Sequence, residues 1–201
     1  SKKSFVDLGL DTNLGGWACF LKGEGFLRSD YIYEETPLTD AALPFDFKTF
    51  SANPARLRMG AFDSINGEMV YYTKDDIKDL KDLMKIVRAS SSMPIFMPPT
   101  VIGDKVYIDG GIGGGIPLDI AMKDGLKKYF VILSRPKGYR KEPIKHQRFL
   151  KTYYKHFPNV IDALLKRHII YNQTLDELYA LEAEGKAFLV YPDVMPVSSR
   201  E

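Results

Sequence analysis

The stretch that decides the architecture reads Lys105-Val106-Tyr107-Ile108-Asp109-Gly110-Gly111-Ile112-Gly113-Gly114-Gly115-Ile116-Pro117. Lys105 to Ile108 reads as a short strand that ends on an acid, and the glycines after it lead to Pro117, which opens a helix. Proline is favoured in the first helical turn because its missing N–H has no helical partner there, and Leu118, Ala121 and Met122 supply an apolar face. The helix stops near Gly125. Tyr129-Phe130-Val131-Ile132-Leu133 then forms a continuous apolar run of the kind found in a strand buried on both faces. Strand, loop, helix and strand in this order predict a βαβ unit, and so an α/β fold whose mostly parallel sheet is flanked by helices.

Upstream, residues 56–62 and 69–73 flank the turn signal Asn66-Gly67 and predict a hairpin. From Asp75 the spacing becomes helical: Ile77, Leu80, Leu83, Met84 and Val87 recur every three to four residues. The pattern ends at Ser90-Ser91-Ser92-Met93-Pro94, where proline opposes continuation. Residues 5–45 show only weak periodicity and read as short helices and loops. Beyond Pro143 the chain reads as mainly helical, with Ile161, Leu164, Leu165, His168, Tyr171, Leu175, Leu178 and Glu182 near one stripe of a long helix terminated by Gly185. A last strand, 187–191, is expected to return to the sheet.

With 45% hydrophobic and 27% charged residues over 201 positions, the composition is that of a globular protein able to build one sizeable core. The net charge of +2 is too small to argue for nucleic acid. The charge is local, however: Arg135, Lys137, Arg140, Lys141, Lys145, Arg148 and Lys151 stand against the single acid Glu142. That stretch is either a solvated face or a contact for phosphate-bearing head groups, including peripheral contact with an anionic membrane surface. The single cysteine, Cys19, excludes an intramolecular disulfide, reads as a small buried hydrophobe and fits a reducing compartment. No signal peptide is visible between Ser1 and Glu201, and a cytoplasmic location is expected. The opening on Ser1 rather than Met leaves a preceding segment open.

Chemistry concentrates at Asp109. In open α/β sheets, sites form at the carboxyl ends of strands, which is where Asp109 is expected. The glycines after it fit neither the dinucleotide fingerprint nor the phosphate loop, because Ile116 and Pro117 stand where a lysine and a hydroxyl would be needed. The alternative is that Asp109 caps the helix or tightens the turn. His146, His156 and His168 match no metal-ligand pattern and read as surface or helix-packing residues, so neither a metal nor a cofactor is expected.

The ordered set Arg88-Ala89-Ser90-Ser91-Ser92-Met93-Pro94, Pro98-Pro99, Tyr107-Ile108-Asp109-Gly110-Gly111-Ile112 and Ile116-Pro117 resembles the second half of the patatin-like phospholipase domain. Pro44-Phe45-Asp46, the segment Ser134 to Lys141 and Tyr171-Asn172 are similar to a bacterial branch of that family. The resemblance implies a three-layer α/β/α fold. Residues 1–143 would be the C-terminal portion of a catalytic domain, and 144–201 a helical extension returning to the sheet. It also implies a Ser-Asp dyad without histidine, in which a serine attacks an acyl ester of a lipid or small substrate. Asp109 would be the general base, and Gly110 and Gly111 its motif loop. A carboxylate does this only while it stays ionised enough to accept the serine proton.

The departures matter as much. Neither the family's G-x-S-x-G serine elbow nor its earlier oxyanion-hole glycine loop occurs between Ser1 and Glu201. Ser90, Ser91 and Ser92 sit at a helix end without a glycine elbow and are poor substitutes. Gly114 and Gly115 replace positions where relatives often carry a polar side chain. The chain alone is therefore expected to be inactive. One reading makes it part of a serine lipid acyl hydrolase whose nucleophile lies upstream. The other makes it a non-catalytic lipid- or partner-binding module. On the first reading, uncovered sheet edges favour association of the isolated chain, as a homo-oligomer or an aggregate.

Overall fold

The computed structural model describes residues 14–22, 25–38, 44–145 and 147–194, so the sequence readings at residues 5–13 and at His146 fall outside the described residues. From the amino end, α1 (Trp17–Leu21) and a π-helical turn (Tyr31–Glu35) are short helices of the kind expected between residues 5 and 45, and α2 (Phe47–Ala52) follows. The hairpin follows: β1 (Met59–Asp63) and β2 (Glu68–Tyr72) pair antiparallel, with Asp63 opposite Glu68.

The turn between them is organised by one carboxylate. Asp63 is fully buried, and its Oδ1 accepts the backbone N–H groups of Ile65 and Asn66, each at 3.0 Å. Its Oδ2 accepts Asn66 Nδ2 at 2.9 Å and lies 3.5 Å from Lys105 Nζ. Burial alone would raise the proton affinity of Asp63. The donors from Asn66 and Ile65, with the Lys105 ammonium, outweigh it and hold the carboxyl below its ordinary value.

The helix expected from Asp75 starts later than its periodicity suggests. Thr73 donates its N–H to Asp76 Oδ2 at 2.7 Å and accepts the N–H of Asp75 on its hydroxyl at 3.1 Å, which closes a separate 3-10 turn at Lys74–Asp76. Asp79 then caps the true start by accepting the N–H of Asp82 at 2.8 Å, and α3 runs Leu80–Ser91. Its buried residues Leu83, Met84, Ile86 and Ala89 lie three residues apart or adjacent, one face of a helix. Ala89 packs with Ala61 and Tyr107 in the core of this sheet.

The sheet itself corrects the expected fold. β3 (Thr100–Ile102) and β4 (Lys105–Asp109) form a second hairpin across Gly103-Asp104, and the strand order β2-β1-β4-β3 is antiparallel throughout. For β3 and β4 the reason lies in connection length, since a two-residue link permits only antiparallel neighbours while parallel pairing needs a long crossover. Gly103, with φ 63°, supplies the conformation that the first central position of such a turn demands. The strand Thr100–Ile102 was absent from the sequence reading, and without it β4 looked like the first strand of a βαβ unit.

The chain divides into two compact units, Ser1–Ile112 and Gly113–Glu201. In the second, α4 (Leu118–Lys123) is followed by β5 (Tyr129–Ile132), α5 (Gln147–Tyr153), α6 (Pro158–Ala183) and β6 (Ala187–Val190). β5 pairs in parallel with β6 and not with β4. The 26 residues of α6 end in a Schellman arrangement, Lys186 N–H to Leu181 O at 2.8 Å and Gly185 N–H to Glu182 O at 3.0 Å, the stop expected at Gly185. Leu178 of α6 packs on Leu118 of α4 and Leu189 of β6. β5 is covered on one face only: Phe130 and Ile132 are exposed and Phe130 stacks on exposed Phe188 at 5.4 Å, so the strand is not buried on both faces as its apolar run suggested.

Asp63→Asn is expected to destabilise the first unit by about 1–3 kcal/mol near neutral pH, because an amide group would face the Asn66 and Lys105 donors. The wild-type carboxyl has its pKa lowered on folding, so its stabilisation is present above the unfolded value and is lost as pH falls through the folded one. Urea titrations at a series of acidic pH values should show a shallower acid loss in the variant.

Candidate functional site

Asp109 is the last residue of β4, opposite Ala61 of β1, and its backbone N–H donates to Ser92 O at 3.0 Å. Its side chain is half-buried, and Oδ1 accepts the N–H of Gly111 at 2.6 Å. This is an Asx turn, the tightening role weighed from the sequence. It occupies one oxygen; among the described residues no donor to Oδ2 is found.

Gly110 carries the strongest steric requirement at the site. A Cβ there would overlap the carbonyl oxygen of Gly60 and lie 2.7 Å from its carbon, so β1 and the residue after Asp109 meet backbone to backbone. The next residues close a 3-10 turn, Gly110–Gly113, that buries Ile112. Gly114 and Gly115 then take φ 142° and 91°, conformations that side chains resist, which explains glycine at both positions.

Two serines of the triplet are spent on structure. Ser90 Oγ donates to Gly60 O at 2.7 Å, which ties the end of α3 to β1. Ser92 is fully buried, with Oγ 2.8 Å from Arg88 O and 2.9 Å from Thr100 Oγ1. Arg88 in turn donates from Nε to buried Ser29 at 3.0 Å and pairs with Glu34. Sequence reasoning did not foresee that Ser92 would anchor the backbone of Asp109. Its only signal was hydroxyls gathered at a helix end, where they bond to nearby backbone. Equally unforeseen is Ile95, a β-branched residue at φ 73° three positions past Ser92. Such conformations cost on the order of 1–3 kcal/mol and persist where surrounding structure enforces them. Here the enforcing bonds are Met97 N–H to Met93 O and Leu27 N–H to Phe96 O, both 3.0 Å.

Two cavities of the first unit, about 410 and 330 Å³, share Glu34 and Lys81, and Asp109 lines neither. Cys19 is half-buried. In the second unit, His156 is exposed, while His168 is half-buried with its Nδ1 enclosed and without a hydrogen-bond partner among the described residues.

Asp109, Gly110 and Gly111 thus stand at a strand end, held against the neighbouring strand by backbone contact. Residues 10–122, more than half of the chain, match the patatin-like phospholipase family, and the chain belongs to it. This places it among the lipid acyl hydrolases. Residues 157–201 match a domain of unknown function (DUF6363). No curated protein matches the chain. Among the described residues no helix is long and apolar enough to cross a membrane.

Gly110→Ala is expected to cost on the order of 2–3 kcal/mol, since its methyl group can be admitted only by parting β1 from β4. Gly60→Ala should cost less, because the nearest atoms to its Cβ are side-chain ends, Met69 Cε at 2.9 Å and Tyr71 Cε1 at 3.1 Å. Chemical denaturation of both variants checks the order.

Proposed function

We propose that Asp109 is the general base of a Ser-Asp dyad in a carboxylic ester hydrolase acting on lipids or small acyl esters, with the serine supplied from outside residues 1–201. The observation that carries this reading is the position of Asp109 at the end of β4, followed by Gly110-Gly111, inside the segment that matches the family. The division of labour between its oxygens supports it. Oδ1 holds the turn by accepting from Gly111, which fixes the carboxylate plane and leaves Oδ2 to accept a proton. The two family matches, 10–122 and 157–201, lie on either side of residue 143, in keeping with a catalytic portion followed by an extension. A cytoplasmic location belongs to the same proposal.

The Asx turn also suits the second reading, a non-catalytic lipid- or partner-binding module in which Asp109 only shapes the loop. Asparagine separates the two, because it keeps a carbonyl oxygen for the Gly111 N–H and removes the base. In a protein that carries a G-x-S-x-G elbow ahead of residues 1–201, Asp109→Asn is expected to lower the hydrolysis of a p-nitrophenyl ester by about 10²–10⁴-fold with the melting temperature unchanged. Labelling of the serine by a fluorophosphonate should fall with it. Equal rates in both proteins would leave Asp109 as a turn residue. Residues 1–201 alone should neither hydrolyse the ester nor take the label, since Ser90, Ser91 and Ser92 lack a glycine elbow and the hydroxyls of Ser90 and Ser92 are committed to Gly60, Arg88 and Thr100.

A further inference from the structure

Lys141 lies in the second unit, in a segment whose backbone is fastened to α6. Asn172 of α6 accepts the N–H of Lys141 on Oδ1 at 2.9 Å and donates from Nδ2 to Lys141 O at 3.0 Å. Beside it, Arg140 donates to Asn172 O at 3.0 Å and pairs with Asp176. From this anchor the side chain of Lys141 lines a cavity of about 560 Å³ and lays Nζ 4.6 Å from the ring centroid of buried Tyr171.

Two features set this amine apart from a surface lysine. It is half-buried, and among the described residues no carboxylate lies within ion-pair reach of it: Asp176 answers Arg140, and Glu142, also in the cavity wall, lies 3.7 Å from Lys145. Its Nζ is nevertheless reached by solvent, unlike the enclosed Nδ1 of His168 in the same wall. The other titratable groups around it are Arg135 and Tyr139 from its own segment and Arg167 and Tyr171 from α6.

Taking an ammonium out of water with no carboxylate to answer it favours the neutral amine, and the Tyr171 face returns only part of that cost. Burial first, and then the charges of Arg167 and Arg135, push the Lys141 ammonium down to about 8. A neutral amine in reach of solvent is a nucleophile. An amide formed from it carries no charge, so it escapes the burial cost that opposes the ammonium.

We propose that Lys141 is a site of covalent acylation, with a small acyl thioester as the donor. Thioesters transfer acyl groups to neutral amines far more readily than oxygen esters do. Nζ attacks the thioester carbonyl carbon, the C–N bond forms as the C–S bond breaks, and the thiolate that leaves takes up the proton released by nitrogen. The products are an Nζ-acyl amide and a free thiol. The proposal rests on the burial and access of one amine and does not depend on the acyl-hydrolase reading of Asp109.

Incubation of residues 1–201 with the acetyl thioester of N-acetylcysteamine, an uncharged probe, followed by peptide mapping with mass spectrometry, reports acetylation lysine by lysine. At about pH 7.5 roughly a quarter of an amine titrating at about 8 is neutral, against about one part in a thousand at the ordinary 10.5. Lower basicity returns part of that advantage, so Lys141 is expected to react about tenfold or more faster than exposed Lys155. Its rate should level off above about pH 8 while that of Lys155 keeps rising. Asn172→Ala, which releases the Lys141 backbone, should slow Lys141 toward the rate of Lys155, and Lys141→Arg should abolish this mark and leave the others. In concentrated guanidinium the two lysines should react alike; if Asn172→Ala fails to fold, this comparison of native and unfolded chain carries the test. A native Lys141 that reacts no faster than Lys155, or a preference that persists in the unfolded chain, overturns the proposal.

Discussion

Where Gly110 meets Gly60 there is no space for a side chain, and the placement of the candidate site depends on that contact. Three neighbouring bonds use the same approach. β1 and β4 pair from Ala61–Asp109 to Asp63–Tyr107, Ser90 Oγ bonds the carbonyl of Gly60, and Ser92 O takes the N–H of Asp109. Strand, helix end and acidic residue are therefore coupled through a few backbone groups. A side chain at Gly110 would separate β1 from β4 and take Asp109 away from Ser92. Sterics at one glycine thus link packing to the position of the carboxylate.

The second unit obtains its order differently, from a helix end and a side-chain amide. The Schellman arrangement after α6 turns the chain so that Tyr129 N–H reaches Lys186 O at 2.9 Å, which sets the register of the parallel pair. Asn172, near the middle of α6, holds the backbone of Lys141 with both ends of its amide. A segment that reads as a basic surface stretch is in this way bent over the helix, and charges distributed along the sequence converge on one cavity.

Much of the fold was legible because local chemistry decided it. Asn66-Gly67 marked a hairpin, the proline after Ser92 marked a helix end, and Gly185 marked another. What was lost was pairing. The run Thr100-Val101-Ile102 is short and Gly103-Asp104 does not announce itself as a turn, so β4 reads as the start of a parallel crossover, whereas it pairs antiparallel with β3 across two residues and with β1. At Tyr129–Leu133 an apolar run was taken to mean cover on both faces, but hydrophobicity alone does not say how many layers enclose a strand. At the site, Asp109 and its glycines were visible as a motif. The bonds of Ser90 and Ser92 were not, since they join residues that only the folded chain brings together.

One sheet carries two acids near opposing strand ends, and their environments differ in a way that bears on role. Asp63 is fully buried, both its oxygens accept hydrogen bonds and Lys105 lies beside it, so every part of the carboxylate serves the turn. Asp109 is half-buried and accepts one backbone N–H through Oδ1. A carboxylate whose acceptor sites are filled by fixed donors is committed to holding them, whereas one anchored through a single oxygen is oriented and keeps an acceptor site open. The same element of chemistry, an acid accepting backbone N–H groups after a strand, is thus purely structural at Asp63. At Asp109 one oxygen holds the turn and the other has no donor among the described residues, and the proposed general-base role rests on that second oxygen.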